Sequence, residues 1–229
     1  ATRISDAFLL MQSGPEIGVA ATKTFTSQLI LMTLISLYLS LRYDEIGTDE
    51  FHQHLKLLKT LPQKIRKVFD TVEDIKKIAK QLSNAESTFF IGRGLWYPLA
   101  REGALKLKEI SYIHAEGFPA GELKHGPFAL LTENTPVIAL VHRGKTYDKI
   151  LSNIGEIKAR GPTVYAIAED DDDDITKYAD NVLRYPSDDE IECLIPATVI
   201  LQLLSYYTAL YRDCPIDKPR NLAKSVTVE

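Results

Sequence analysis

The sequence is poor in cysteine, carries no excess of positive charge and has no uninterrupted apolar run of membrane-spanning length. Its two cysteines, Cys193 and Cys214, are too few for a disulfide framework and indicate reduced, cytosolic thiols. A formal net charge of −4 lacks the basic excess that nucleic-acid binding normally requires. The most apolar run, residues 29–41, is interrupted by Thr33, Ser36 and Ser40 and predicts a buried helix rather than a bilayer-spanning one. Since no signal peptide is visible at the start, we expect a cytoplasmic protein whose partners are neither nucleic acid nor membrane.

Motifs for metal and phosphate binding are also scarce. The acidic run 169–174 lacks the glycine and the terminal glutamate of a calcium loop and predicts a solvated, mobile turn. Histidine and cysteine form no zinc-type cluster in the sequence, so we expect no metal. The turn Gly92-Arg93-Gly94 follows a predicted strand and precedes a predicted helix, as a phosphate cradle would. A lone Gly-x-Gly is a weak motif, however, and we interpret this turn as structural.

Short apolar runs alternate with helical periodicities along the chain, which is 45% hydrophobic and 25% charged, as soluble globular proteins are. Strands are predicted at 8–11, 89–91, 136–141, 163–168 and 181–185. Helices are predicted from Thr22 or Thr24 to about Arg42, and at 49–60, 62–83 with Pro62 in its first turn, 96–112, 122–131, 147–160 and 194–212. This alternation predicts an α/β fold with a parallel sheet covered on both faces.

The last thirteen residues, Asp217 to Glu229, are unusual for a terminus because they combine two cations with a row of small apolar residues. Pro219 disfavours helix in the residue before it and predicts an extended strap, in which Val226 and Val228 alternate with hydroxyl residues. Such a strap would bring Arg220 and Lys224 to an anionic site. The alternative from composition alone is a frayed end with solvated charges.

Two further patterns are open to a catalytic and to a structural interpretation. Lys106 and Glu109 lie three residues apart and share one helical face with Glu102, which suits either a carboxylate that transfers protons or an ordinary surface ion pair. His125 precedes Gly126 and Pro127 at a predicted junction between loop and helix. Its near-neutral pKa range suits acid–base chemistry on a sugar ring, whereas an isolated histidine at a turn commonly just bonds the chain.

Four segments, at 15–23, 101–117, 121–127 and 217–229, resemble the sugar isomerase half of the glutamine–fructose-6-phosphate transaminases, the glucosamine-6-phosphate synthase family. The resemblance covers essentially the whole chain, with the motifs in the family's order. It implies conversion of fructose 6-phosphate and ammonia derived from glutamine to glucosamine 6-phosphate, with no metal or other cofactor.

The resemblance also implies roles for particular residues. Glu109 would move the proton between C1 and C2 of the sugar, and Lys106 would stabilise the enolate-like charge. His125 would open the sugar ring from the neighbouring subunit of a homodimer. Lys224 would contribute to ring opening, or would attack the ketone as a Schiff base; the sequence leaves both roles open. His114 has no matching role and is interpreted as structural.

Substrate contacts are implied for Val19 and Ala21 in an N-terminal loop and for Arg220 in the tail. Ala21 departs from the family, where a serine is expected whose hydroxyl helps to hold the substrate. The exchange removes one hydrogen bond, worth about 0.5–1.5 kcal/mol. Thr22 offers a neighbouring hydroxyl that would compensate for it.

The implied organisation is two tandem sugar isomerase (SIS) domains, each a flavodoxin-like three-layer α-β-α sandwich. Residues 1–45 would be the end of a first SIS domain, 46–84 a helical linker, 85–212 the second SIS domain and 213–229 a tail that closes the active site. The family's phosphate-binding loops and its glutaminase domain have no counterpart in this sequence, so we expect the chain alone to be inactive. The alternatives are a non-catalytic SIS module that binds or senses a sugar phosphate, and a simple aldose–ketose isomerase.

Overall fold

Helices and strands alternate through most of the computed structural model, which describes residues 3–224. The helices are α1 (Lys23–Arg42), α2 (Thr48–Asp70), α3 (Val72–Leu82), α4 (Trp96–Ser111), α5 (Tyr147–Lys158) and α6 (Glu190–Tyr211). The strands are β1 (Ser87–Gly92), β2 (His114–Pro119), β3 (Val137–Leu140), β4 (Val164–Glu169) and β5 (Asn181–Tyr185). Short 3-10 helices occupy Ala120–His125, Pro127–Leu130 and Asp174–Lys177.

The five strands form one parallel sheet in the order β2-β1-β3-β4-β5. In the register of its centre, Phe90 of β1 pairs with Gly117 of β2 on one side and with Ile138 of β3 on the other. Parallel neighbours require crossover connections, which α4 and α5 supply. The order 2-1-3-4-5 is that of flavodoxin-like folds, with a topological switch point between β1 and β3.

Successive residues of each strand face opposite sides of the sheet, so their side chains pack into two separate hydrophobic layers. On one side, Phe90, Ile138 and Ile167 pack with α3, α4 and α6. On the other side, Phe89 and Ala139 pack with α5 and the 3-10 segments that follow β2. The predicted α/β three-layer sandwich with a parallel sheet is therefore confirmed.

Strand β2 was not predicted, and the region after it differs from the prediction. The residues of β2 include a glycine and are mostly only partly buried, as expected for a strand at the sheet edge, so they lack the apolar run that marks the central strands. The single helix predicted at 122–131 is wrong. Two 3-10 helices stand there, separated by Gly126, whose φ of 145° is incompatible with a continuous helix.

The prediction that Pro62 starts a helix is also wrong. Helix α2 runs through Pro62 and ends at Asp70, and Thr71 separates it from α3. Pro62 is exposed, while its neighbour Leu61 and, two turns on, Val68 are buried. Packing of this face outweighs the hydrogen bond that proline removes.

The N-terminal region shows two further differences from the predictions. Residues 8–11 form no strand and their side chains are exposed, because no other described strand lies beside them to supply hydrogen-bond partners. Helix α1 is not buried, since Leu37 is its one buried residue. Both α1 and α6 are long and apolar enough to cross a membrane, judged by length and composition alone. Helix α6 is largely buried in the core, whereas α1 packs only along one side, on α2 and α6.

The acidic run after β4 is more ordered than a solvated turn. Glu169 is buried and accepts a 2.6 Å hydrogen bond from the backbone N–H of Arg143. Asp172 is buried as well and accepts a 2.6 Å bond from the hydroxyl of Tyr147. These two carboxylates bind the turn to the start of α5, which the sequence run alone does not reveal. The remaining acidic side chains are mostly exposed.

Candidate functional site

One face of α4 carries a buried lysine between two carboxylates. The ammonium of Lys106 donates a 2.6 Å hydrogen bond to Oε2 of Glu109 and lies 3.6 Å from Oε1 of Glu102, which is too long for a hydrogen bond. Lys106 is only 4% exposed. The spacings of three and four residues bring these groups together on successive turns of the helix, as predicted.

The two carboxylates of this cluster have different surroundings. Glu102 is the more buried one, its Oε1 has no hydrogen-bond partner among the described residues, and burial raises the pKa of its carboxyl group. The charge of Lys106 opposes that rise, and the charge of Glu109 adds to it. Glu109 bonds Lys106 through Oε2, and no described residue hydrogen-bonds its Oε1. One oxygen of Glu109 is therefore available to a ligand.

The tail docks against the end of this same helix. Tyr112, which follows α4 with a left-handed φ of 62°, accepts a 2.8 Å hydrogen bond at its hydroxyl from the backbone N–H of Arg220. The guanidinium of Arg220 lies 4.2 Å from the centre of the Tyr112 ring, in a cation–π contact. The tail therefore contacts Tyr112, which stands three positions after Glu109 along the chain.

The described part of the tail is bent rather than fully extended. Pro219 is buried, and Asn221 adopts a left-handed φ of 61°, which makes a turn directly after Arg220. Asparagine tolerates this conformation better than most residues do. The predicted alternation at Val226 and Val228 lies outside the described residues.

The tail also binds the N-terminal loop that precedes α1. The ammonium of Lys224 donates to Oε2 of Glu16 at 2.9 Å and to the carbonyl oxygen of Gly18 at 2.8 Å. The backbone N–H of Val19 donates to the carbonyl oxygen of Asp217 at 3.0 Å. Two separate points of the tail therefore hold the loop, and Ala21, two residues after Val19, lies in the same loop.

Glu16 organises this loop. Its carboxylate accepts hydrogen bonds from the backbone and hydroxyl groups of Thr22 and Thr24 at the start of α1, in addition to that from Lys224. Burial by itself would raise the pKa of Glu16, but these hydrogen bonds outweigh it and lower the pKa to about 2. Glu16 thus caps the start of α1, and Thr22, which precedes the helix, makes no side-chain cap hydrogen bond.

His125 stands apart from these contacts. It ends the 3-10 helix before Gly126, it is exposed, and it makes no hydrogen bond or ion pair with the other predicted site residues within the part of the chain that is described. Lys106 and Glu109 are brought together, and Arg220 and Lys224 are tied to α4 and to the loop respectively. His125 is not joined to either group.

A cavity of about 890 Å³ lies beside the cluster, between α4, β2 and the helices α1 and α6. Glu102 and Lys108 line it from α4, and Leu29 lines it from α1. Lys106 and Glu109 do not line it, so this cavity meets the predicted catalytic cluster only at Glu102.

The switch point of the sheet, where flavodoxin-like folds usually bind ligands, is filled in this domain. Trp96 is buried there and stacks on the rings of His142 and Tyr185, at centroid distances of 5.3 and 5.4 Å. A Cβ on Gly92 would lie 2.3 Å from the Trp96 carbonyl oxygen, and Arg93 donates a 2.8 Å bond to Asn153. These contacts favour a structural role for the Gly92–Gly94 turn.

A second polar cluster joins α2 to the start of α6. The ligand atoms of His54, Asp189 and Glu192 lie within 4.8 Å of one another, a set that could hold a metal ion and that the sequence did not reveal because His54 is remote along the chain. Nδ1 of His54 lies 3.0 Å from Oε1 of Glu192, which is fully buried. Lys64 forms an ion pair with neighbouring Asp188, and burial lowers the pKa of this lysine. The charges of Glu192 and Asp189 act on Lys64 in the opposite direction to burial, so this lysine lies in the electrostatic field of the cluster.

Sequence reasoning missed Glu16 and Tyr112 as members of the site. Both lie inside segments that resemble the family, at 15–23 and 101–117, so the resemblance could have indicated them as site residues. Neither residue stood out by its type. Each matters through a contact with the tail, which is 108 positions from Tyr112 and 208 positions from Glu16 along the chain.

Comparisons with known proteins agree with this architecture. The SIS domain family matches residues 81–212, more than half of the chain. Glutamine–fructose-6-phosphate aminotransferases (isomerizing) of Methanosarcina acetivorans and Methanosarcina mazei are 55% and 54% identical over 228 residues, which is 100% of this chain and 37% of each relative. The chain thus spans little more than a third of the length of these relatives.

Solved structures show the same fold. The C-terminal domain of glucosamine-fructose-6-phosphate aminotransferase from Francisella tularensis matches with a TM-score of 0.89 and 36% identity, over 95% of this chain and 61% of that one. A glucosamine-6-phosphate deaminase from Thermotoga maritima shares the fold, with a TM-score of 0.66 and 24% identity over 93% of this chain and 59% of its own. This chain belongs to the SIS domain family.

Proposed function

We propose that this chain is the isomerase part of a glutamine–fructose-6-phosphate aminotransferase, which converts fructose 6-phosphate and ammonia to glucosamine 6-phosphate. The observation that carries the proposal is the pair of buried Lys106 and partly buried Glu109 on α4, the helix that is followed by the tail-binding residue Tyr112. The Methanosarcina and Francisella proteins with this name support it.

The central step is a proton transfer between neighbouring carbons. Ammonia adds to the C2 carbonyl of the open sugar, and loss of water leaves an imine. Glu109 takes a proton from C1 and returns it to C2, while the C1 hydroxyl loses its proton and the imine nitrogen gains one, so that C1 becomes the aldehyde and C2 carries the amine of glucosamine 6-phosphate. The Oε1 atom of Glu109, which no residue of the described chain hydrogen-bonds, suits this role. Lys106, fixed against the other oxygen, stabilises the negative charge that develops on the substrate.

Ring opening requires a second set of groups. His125 exchanges protons with the ring oxygen and the anomeric hydroxyl, and Lys224 contributes a cation from the tail. Because His125 is exposed and is bonded to none of the other site residues in the described part of the chain, its role fits a site in a neighbouring subunit of a homodimer.

Substrate is held by the loop around Val19 and Ala21 and by Arg220, with the tail as a cover. The sugar's phosphate is bound outside this chain, in a first SIS domain whose end is residues 1–45. Residues 46–84 link the two domains, 85–212 form the second, and 213–229 are the closing tail. A glutaminase domain supplies ammonia, and the enzyme works in the cytoplasm without a metal or other cofactor.

Assay of the complete protein with fructose 6-phosphate and ammonia tests this proposal. Glucosamine 6-phosphate is the expected product. Formation of glucose 6-phosphate alone would instead indicate a simple aldose–ketose isomerase, and binding without turnover would indicate a sensor. The chain by itself should bind fructose 6-phosphate weakly in calorimetry, because it lacks the charge-assisted bonds to phosphate that supply much of the affinity.

A further inference from the structure

Five hydrogen-bond donors converge on the carboxylate of Glu16. Oε1 accepts from the backbone N–H groups of Thr22 at 2.9 Å and Thr24 at 3.3 Å, and from the Thr22 hydroxyl at 3.2 Å. Oε2 accepts from the Thr24 hydroxyl at 2.6 Å and from the Lys224 ammonium at 2.9 Å. The two oxygens thus have different tasks: one caps α1, and the other holds the tail lysine.

The pair of Glu16 and Lys224 is asymmetric in burial. The side chain of Glu16 is 6% exposed, whereas that of Lys224 is 46% exposed. The carboxylate is fixed in the protein body, and the lysine reaches it from the surface. Lys224 also donates to the carbonyl of Gly18, so its ammonium is bound to two acceptors of the same loop. Charge-assisted bonds of this kind are stronger than neutral ones.

We propose that Glu16 is the positioning residue for Lys224, holding it as an ammonium over the loop that contains Val19 and Ala21. This inference rests on the proposed function, which gives Lys224 its part in the reaction. A primary amine attacks a carbonyl through its free lone pair, and an ammonium bound to a carboxylate has none. Release from Glu16 is therefore the step that decides whether Lys224 acts as a fixed cation or as a nucleophile.

Glu16→Gln separates the two tasks of the carboxylate. The two backbone N–H groups at the Oε1 position cannot reorient, so the amide oxygen of glutamine stays there and continues to cap α1. The amide NH2 group then occupies the Oε2 position and faces the Lys224 ammonium, donor against donor. Thr24→Val is the matched control, because it removes a bond from an uncharged donor to the same oxygen and leaves the charges of Glu16 and Lys224 in place.

The direct readout is the rate at which an N-hydroxysuccinimide acetate reagent acetylates Lys224 in the complete protein without substrate, followed by mass spectrometry. Loss of a charge-assisted hydrogen bond should speed the labelling of Lys224 about tenfold in Glu16→Gln. Thr24→Val should change it little. Equal labelling rates in wild type and Glu16→Gln would overturn the proposal. Equal acceleration in Glu16→Gln and Thr24→Val would also overturn it, because the effect would then come from loosening of the loop and not from loss of the Glu16 charge.

Turnover of fructose 6-phosphate gives the second readout. Since Glu16 acts on Lys224 and not on the sugar, kcat of Glu16→Gln should fall about tenfold, with a smaller change in KM. An unchanged kcat would contradict the positioning role. If the wild-type protein shows no turnover, the proposed function fails while the labelling result still decides whether Glu16 holds Lys224.

Discussion

Lys106 donates a 2.6 Å hydrogen bond to Glu109 and stands 3.6 Å from Glu102, so one buried ammonium serves two carboxylates on a single face of α4. One cation cannot compensate two anions fully in a buried site. Burial, and to a lesser degree the charge of Glu109, raise the pKa of Glu102, and its Oε1 has no hydrogen-bond partner among residues 3–224. Glu109 is the carboxylate that is paired with Lys106, and no residue in the described range bonds its other oxygen.

Glu102→Gln should flatten the dependence of stability on pH. Burial raises the pKa of Glu102 above its ordinary value of 4.5, so the folded state binds this proton more tightly than the unfolded state does. The free energy of unfolding therefore falls as the pH rises from 4.5 through the folded-state pKa, and the loss persists above it.

Thermal unfolding measured at several pH values checks this prediction. The variant should lack the decline that Glu102 contributes and should be at least as stable as wild type at neutral pH. Glu73→Gln is the control, because Glu73 forms a similar ion pair with a lysine three residues away but is exposed. A decline as steep in Glu102→Gln as in wild type would refute the argument.

Gly92→Ala should destabilise the fold by about 3 kcal/mol. The added Cβ would lie 2.3 Å from the carbonyl oxygen and 2.5 Å from the carbonyl carbon of Trp96, and neither backbone atom can move away easily. Gly155→Ala is the matched control: it has open space around the new Cβ within α5 and should stabilise by about 0.5–1 kcal/mol. Urea denaturation measures both, and a Gly92→Ala variant as stable as wild type would contradict the close packing.

His125→Ala and Glu109→Gln should complement each other in a mixed dimer if the site is shared between subunits. Each variant alone is expected to be inactive, because every site lacks one group. Random reassociation gives half heterodimers, each with one intact site, so the mixture should recover about a quarter of wild-type activity. Recovery is measured after partial denaturation and refolding of the mixed complete proteins. No recovery from dimers proven to have mixed would place His125 in its own subunit's site.

The sequence predicted the central strands of the fold correctly, because a run of apolar residues marks each of them. Apolar runs such as Phe89–Ile91 indicated the central strands, because those strands are buried on both faces. The edge strand β2 escaped because its partly buried sequence lacks such a run. The predicted helix start at Pro62 was wrong, because tertiary packing outweighs the free-energy cost of a proline inside α2. The exposed residues 8–11 were mistaken for a strand because composition does not tell whether a neighbouring strand is present.

The site was predictable in part. The Lys106–Glu109 contact follows from helical spacing, and the structure has it. Glu16 could not be recognised in this way, because its contact with Lys224 joins residues 208 positions apart. The position of His125 relative to Glu109 is not determined by the spacing of residues along the chain. A site shared between two subunits depends on how the subunits associate, which the residue pattern of one chain does not indicate. Long-range contacts are set by the whole fold rather than by local sequence.

The central claim is that Glu109 transfers the proton between the sugar carbons. Glu109→Gln keeps the shape of the side chain and loses the base, so glucosamine 6-phosphate synthesis by the complete protein should fall about 10²- to 10⁴-fold. Binding of fructose 6-phosphate and release of ammonia from glutamine should remain largely intact. Glu73→Gln, the same change at an exposed ion pair, should have no effect on synthesis. Near-normal synthesis by Glu109→Gln would contradict the account.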